Sequence, residues 1–148
     1  MLISSFNHGI DAKGRVFVPA KWREDLGTTV YLTHGFLGDD DARCLFGMSE
    51  KKWIEFSERV SGVSEFKMLS QQMLRMLFMN ACECELDKQG RILIPTQQRE
   101  YIGVEKDIVL VGVHKRFEVW EPNMLNAHTA KAMSDYNAAL MELVDGNI

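Results

Sequence analysis

The chain has 148 residues, of which 46% are hydrophobic and 26% charged, the balance of one soluble globular unit rather than of a disordered chain. No apolar run approaches the roughly 20 residues of a bilayer-crossing helix, and Met1 to Ser5 lacks the basic start and apolar core of a secretory leader, so the expected location is cytoplasmic and no membrane partner is expected. The net charge of −4 excludes a uniformly basic nucleic-acid binder, but the excess is local: from Glu118 onward Glu118, Glu121, Asp135, Glu142 and Asp145 stand against Lys131 alone, which leaves Met1 to Phe117 neutral.

Met1 to Ile10 alternates loosely, with Leu2, Phe6 and Ile10 apolar, and leads into a hairpin. In Asp11-Ala12-Lys13-Gly14 the aspartate and glycine occupy the positions a type I turn favours, Asp accepting backbone N–H bonds and Gly tolerating a positive φ. Arg15-Val16-Phe17-Val18 reads as a strand, apolar enough to be expected buried on both faces. Pro19 ends it and opens a helix from Ala20 to Leu26, with Gly27 as its C-terminal cap. Thr28 to Thr33 is rich in β-formers, His34 to Arg43 is a loop with acids at Asp39, Asp40 and Asp41, and Cys44 to Phe46 is a short strand.

Ser49 is the expected N-cap of a helix whose Trp53, Phe56 and Val60 share one stripe and which Ser61-Gly62 breaks. Ser64 to Met79 is the longest predicted helix. Phe66, Leu69, Met73, Met76 and Leu77 form one apolar stripe, and Met68, Leu74 and Phe78 part of a second. Two stripes call for cover on two sides, one expected within the subunit and one from a neighbouring subunit. Beyond Ala81 to Leu86, a helix runs from Pro95 to Ile102 with Gly103 as cap. Ile108 to Val111 reads as a buried strand, Arg116 to Trp120 as an alternating one, and the tail from Pro122 as helical.

One stretch occurs twice. Asp11-Ala12-Lys13-Gly14-Arg15-Val16-Phe17-Val18-Pro19 returns 76 residues later as Asp87-Lys88-Gln89-Gly90-Arg91-Ile92-Leu93-Ile94-Pro95, and the offset persists through Arg23 with Arg99, Glu24 with Glu100 and Gly27 with Gly103. The expected fold class is α+β, a pseudo-twofold duplicated β-barrel with peripheral helices. It forms a single domain of two repeats, about 5–53 and 81–125, with a central helical insertion at about 49–79 and a helical tail at about 122–148.

The chemistry-bearing residues argue by elimination. Cys44, Cys82 and Cys84 form no disulfide framework, Cys82-x-Cys84 lacks the second pair of a metal site, and His8, His34, His114 and His128 have no ligand spacing, so neither metal nor other cofactor is expected. Asp11 and Asp87 have no accompanying nucleophile and base, so no enzymatic activity and no small-molecule substrate is expected. Arg15 and Arg91 have two roles open to them, bracing their turns against Asp11 and Asp87 or meeting double-stranded DNA. A guanidinium fork grips two acceptors at once, which would suit DNA, and the recurrence at equivalent positions counts towards that role together with the family resemblance given below. Lys88 is a phosphate candidate, Gln89 can bond a base edge or phosphate, and Lys13 is the weaker contact because its counterpart Gln89 is neutral. Lys21, Arg23 and Arg99 lie on the short helices with a structural or a DNA role open, while Asp11 and Asp87 organise turns.

Leu86 to Pro95, Asp11 to Arg15 with Val18-Pro19-Ala20-Lys21, and Val109-Leu110-Val111-Gly112 together resemble the MraZ family of bacterial transcriptional regulators, within the AbrB-like group of swapped-hairpin barrels, over roughly Met1 to Leu125. The resemblance implies an AbrB-like dimer compressed into one chain, ring-shaped homo-oligomers, and sequence-specific DNA binding through the Asp-x-x-x-Arg loops at Arg15 and Arg91. The implied targets are direct repeats before the chain's own division and cell-wall gene cluster, with nucleoid association as a consequence. The chain departs from the family pattern at the acidic loop Gly38–Arg43, at Gly47-Met48 where an aromatic is common, and at Gln98, in a usually apolar slot. The alternative function is a ring-forming interaction scaffold without specific DNA binding, which the methionine-rich helix would suit.

Overall fold

The computed structural model describes residues 1–37, 41–62 and 67–144. Eight strands and six helices follow in the order β1 (Ser5–Gly9), β2 (Arg15–Phe17), α1 (Ala20–Leu26), β3 (Thr29–His34), β4 (Leu45–Ser49), α2 (Glu50–Ser61), α3 (Met68–Met79), β5 (Cys82–Glu85), β6 (Arg91–Leu93), α4 (Thr96–Ile102), β7 (Asp107–Val113), β8 (Arg116–Trp120), α5 (Pro122–Met133) and α6 (Tyr136–Val144). The local punctuation acts as the sequence predicts. Gly27 and Gly103 close the short helices at positive φ, and the Ser49 hydroxyl accepts the Lys52 N–H at 3.2 Å to start α2. β4 and β7 run longer than expected, and of the acidic loop Asp39 and Asp40 lie outside the described residues.

All pairing is antiparallel, in a six-stranded sheet of order β1-β7-β8-β4-β3-β5 and a separate ribbon of β2 with β6. Exchanging β1 to β4 with β5 to β8 turns the sheet order into its own reverse, so the two halves are related by a pseudo-twofold between β4 and β8 and between β2 and β6. The first strand of each half pairs with the third strand of the other: β1 with β7, and β5 with β3. The described ladders leave β1 and β5 as sheet edges.

Strand alternation sorts the apolar residues onto two faces. Val30, Leu32, Leu45, Ile108, Leu110, Phe117 and Val119 join Val16, Val18, Ile92 and Ile94 of the ribbon, with Trp22, Leu26 and Ile102 of the short helices, in the larger core. Phe46, Met48, Val109 and Trp120 point the other way, onto Phe56 of α2 and Met124 and Leu125 of α5. The strand placement of Cys82 and Cys84 is as expected, both on the inward face with Sγ atoms 3.7 Å apart, both free.

Two of the sequence departures are packing devices. Gln98 is buried and its amide donates to the carbonyls of Leu32 at 3.2 Å and Asn80 at 2.9 Å. Its counterpart Trp22 donates through Nε1 to Ile3 O at 3.1 Å, so each half ties the lead-in to its first strand by one side-chain donor. Gly47 lies opposite Phe117 across the β4–β8 ladder, and the ring occupies the space where a Cβ would stand.

The helices differ from expectation in how little they bury. In α3 no residue is fully buried: Leu74 and Leu77 are half-buried, Thr33 Oγ1 donates to Leu77 O at 2.8 Å, and Phe78 meets Trp53 edge-on, while Leu69, Met73 and Met76 face solvent. The expected start of this helix at Ser64 lies outside the described residues. The tail is attached at its beginning, where Met124 and Leu125 pack on the second core and His128 stacks on Trp120, and most of its described residues beyond that point are exposed. Deleting Ala127 to Ile148 is therefore expected to leave one cooperative unfolding transition with a melting temperature lowered by a few degrees, read by circular dichroism. Loss of cooperativity would show that the tail completes the core.

Candidate nucleic-acid interface

The two Asp-x-x-x-Arg turns are the same construction built twice. Gly14 N–H donates to Asp11 O at 2.9 Å and Gly90 N–H to Asp87 O at 3.0 Å, the i to i+3 bond of a β-turn, with the glycines at φ +90 and +80. Asp11 Oδ1 accepts the backbone N–H of Lys13 at 3.0 Å and of Arg15 at 2.8 Å, while its Oδ2 accepts Arg15 Nε at 2.7 Å. Asp87 repeats this with Gln89 at 2.9 Å, Arg91 at 2.9 Å and Arg91 Nε at 2.8 Å. The bracing role open to these arginines is thus realised, and it uses only Nε. The terminal Nη groups of both have no protein acceptor among the described residues.

The ribbon register decides where those Nη groups point. Arg15 pairs with Leu93, Val16 with Ile92, and Phe17 with Arg91. Val16 and Ile92 are buried, so by alternation Arg15, Phe17, Arg91 and Leu93 share the outer face, with Phe17 at 44% and Leu93 at 51% exposure. This corrects the expectation that β2 is covered on both sides. The central residue of each strand is inward, and the residue two beyond each arginine is outward with it. The two arginines stand diagonally, about 7 Å apart along the strands. They are not equivalent: Arg91 lies over the Phe17 ring at 5.7 Å and its side chain is 19% exposed, against 33% for Arg15 beside aliphatic Leu93. Phe17 and Leu93 were missed as members of this face, although the period-two alternation from Arg15 carries the signal.

Lys13, Lys88 and Gln89 are exposed at the turn tips, at opposite ends of the ribbon because β2 and β6 are antiparallel. Arg23 and Arg99 are elsewhere. Arg23 Nε donates to Val18 O at 3.0 Å and its guanidinium covers Gly90. Arg99 Nε donates to Ile94 O at 2.9 Å and its guanidinium covers Gly14, where a Cβ would lie 2.7 Å from it. Each half thus clamps the turn of the other, which also requires glycine there, and Val18 N–H to Gly90 O and Ile94 N–H to Gly14 O, both 2.9 Å, complete the exchange. Of the two roles open to Arg23 and Arg99, the structure realises the structural one.

The turns set their carboxylates' protonation. The Arg15 backbone N–H, followed by the Arg15 side chain and the Lys13 N–H, outweighs desolvation and holds Asp11 at about 2, below its ordinary 3.8. Asp87 is lowered by the same groups of Arg91 and Gln89. A carboxylate with a depressed folded pKa contributes stability that is present above its unfolded pKa and lost as pH falls through the folded one. The Asp11 turn is therefore expected to stay intact from neutral pH down to about 4 and to loosen from there towards about 2, and the Asp87 turn to loosen in the same direction as acid protonates its carboxylate. Carboxyl chemical shifts of Asp11 and Asp87 followed by NMR check this, and an Asp11 midpoint at the ordinary value would contradict it.

The family model described as MraZ protein matches the chain twice, over residues 1–76 and 77–143. The chain belongs to the MraZ family. The double match falls on the two halves related by the pseudo-twofold. Among the MraZ relatives, a transcriptional regulator MraZ of Caldicellulosiruptor bescii is 42% identical over 83% of this chain and 82% of its own. Proteins of the same name are 36% identical in Carboxydothermus hydrogenoformans, over 98% of both chains, and 36% identical in Pelotomaculum thermopropionicum, over 100% of this chain and 99% of that one. The solution structure of PHS018 from Pyrococcus horikoshii covers 80% of this chain and 88% of its own at 14% identity and a TM-score of 0.33, too distant to bear on the fold. These MraZ relatives are named as regulators and not as enzymes. No helix among the described residues is long and apolar enough to cross a membrane.

Proposed function

We propose that this chain is a sequence-specific, DNA-binding transcriptional regulator. In this reading it is one domain of two AbrB-like repeats, about 5–53 and 81–125, with the helices at about 49–79 and 122–148 outside the pseudo-twofold core. It acts as a ring-shaped homo-oligomer on direct repeats before its own division and cell-wall genes, which would place it on the nucleoid. The observation that carries the reading is the outer face of the β2–β6 ribbon, where Arg15 and Arg91 are each fixed through Nε and keep their terminal nitrogens free. A two-stranded ribbon fits the major groove, and an end-on guanidinium can take the O6 and N7 acceptors of guanine. Lys13 and Lys88 at the turn tips are placed for phosphates on either side, and Gln89 for a phosphate or base edge. Several copies on repeated sites gain affinity through effective concentration.

The test is binding to the chain's own upstream DNA, tiled in overlapping probes and repeated over a salt series. A regulator of this kind binds a few probes far above the rest and loses affinity steeply with salt. Equal binding to all probes would reject sequence specificity, and none would reject the DNA role. The scaffold reading has one observation in its favour, the solvent-facing Leu69, Met73 and Met76 of α3. Assembly without binding to any probe is the result that would select it.

A further inference from the structure

Two uncovered surfaces of the chain are complementary to each other. One is a groove of about 370 Å³ between α2 and the β7–β8 turn, lined by Phe36, which is 55% exposed and packs on the buried rings of Phe46 and Phe56, with Lys52, Arg59, Lys115 and Arg116 around it. Arg116 lies over Phe46 at 4.2 Å and is spent on Glu118 at 2.9 Å. Lys52, Arg59 and Lys115 have no carboxylate partner among the described residues, and no carboxylate is among the residues lining the groove. This concentration of positive charge around an exposed aromatic ring stands in a chain of net charge −4.

The other surface is α6. None of its residues is buried, and Tyr136, Met141 and Leu143 are exposed at 61%, 49% and 81%. A helix this apolar needs a cover. Asp135 precedes it, Glu142 lies within it, and no base follows Lys131 in the sequence. No residue of α6 is among those lining the groove of its own chain.

We propose that α6 of one copy docks into the α2/β7–β8 groove of the next, Asp135 and Glu142 meeting Lys52, Arg59 and Lys115 while Tyr136 and Leu143, seven residues apart and so on one side of the helix, cover Phe36. The contact is heterologous, donor on one side and acceptor on the other, which is the geometry that closes into a ring when the rotation allows. The inference rests on the homo-oligomer reading above and names the contact that would build it.

The test reverses charge on each side separately. Arg59→Glu with Lys115→Glu alters the groove, and Asp135→Lys with Glu142→Lys alters the helix. Each double variant, its fold checked by circular dichroism, is expected to assemble at least about tenfold more weakly in sedimentation, because like charges then face each other. An equimolar mixture of the two, and a chain carrying all four changes, are expected to regain the wild-type particle size, since every tail again finds a groove of opposite sign. A wild-type chain that stays monomeric overturns the oligomer reading and this inference with it. A multimeric wild type whose variants keep their size, or shrink without recovery on mixing, overturns the docking alone. Lost DNA affinity in the groove variant at unchanged particle size would assign the groove to DNA and overturn it as well.

Discussion

Arg15→Ala and Arg91→Ala are each expected to weaken binding to the chain's upstream DNA at least about fivefold, the lower end of the roughly 1–3 kcal/mol carried by a bidentate base contact. The loss should come with a small change in melting temperature. The Nε brace to Asp11 or Asp87 is a partly exposed surface pair within one turn, and the two backbone N–H bonds and the glycine that shape the turn survive the substitution. Lysine at either position should restore only part of the affinity. It supplies one point charge, whereas arginine holds the aspartate with Nε and presents two further nitrogens at once. Arg23→Ala and Arg99→Ala are the controls, since these side chains bond Val18 O and Ile94 O and cover the opposite turn. They should lower the melting temperature more than Arg15→Ala does and should not select against particular probes. Measuring each variant on specific and scrambled DNA alongside a thermal melt separates the cases. Unchanged specific affinity in both Arg15→Ala and Arg91→Ala would reject the interface. Equal losses on all DNA with a flatter salt slope would turn the arginines into phosphate contacts.

Gly47→Ala is expected to destabilise the chain by about 3 kcal/mol. The reason is local and complete. Gly47 pairs with Phe117 across the β4–β8 ladder, and the Phe117 ring lies where the new Cβ would be built. Phe117 is fully buried, with Trp22 at 5.5 Å between ring centroids, so the ring has no solvent-side exit. The backbone cannot yield cheaply either, because β4 and β8 sit at the centre of the six-stranded sheet, on either side of the pseudo-twofold. For a chain of this size the change corresponds to a fall of roughly 6–12 °C in melting temperature. Shrinking the ring in the same background, as Gly47→Ala with Phe117→Leu, should recover part of the loss. A Gly47→Ala variant melting within about a degree of wild type would show that Phe117 has room the structure does not give it.

The turns and short helices were legible in the sequence because their causes are local. An aspartate that accepts the N–H groups two and four residues on, a glycine at positive φ three residues on, and a proline before a helical turn act within a few residues of chain, and they produced Asp11–Gly14, Asp87–Gly90, α1 and α4 where the pattern placed them. The outer face of the ribbon was legible in part. Alternation from an exposed arginine puts Phe17 and Leu93 outside, but the apolar composition of the run pointed to burial, and composition cannot tell a core strand from an uncovered one. The repeat was legible and announced two related halves. It did not say how they are joined. That β1 pairs with β7 and β5 with β3, that Arg23 guards Gly90 and Arg99 guards Gly14, and that Gln98 and Trp22 tie equivalent lead-ins were decided only in three dimensions. Each half alone would leave β1 and β2, or β5 and β6, without their partners, because the strands that pair with them lie in the other half. Local chemistry shapes an element within a few residues, whereas its partner is selected by which distant surface excludes water from it best, a property of the assembled chain that no window of sequence contains.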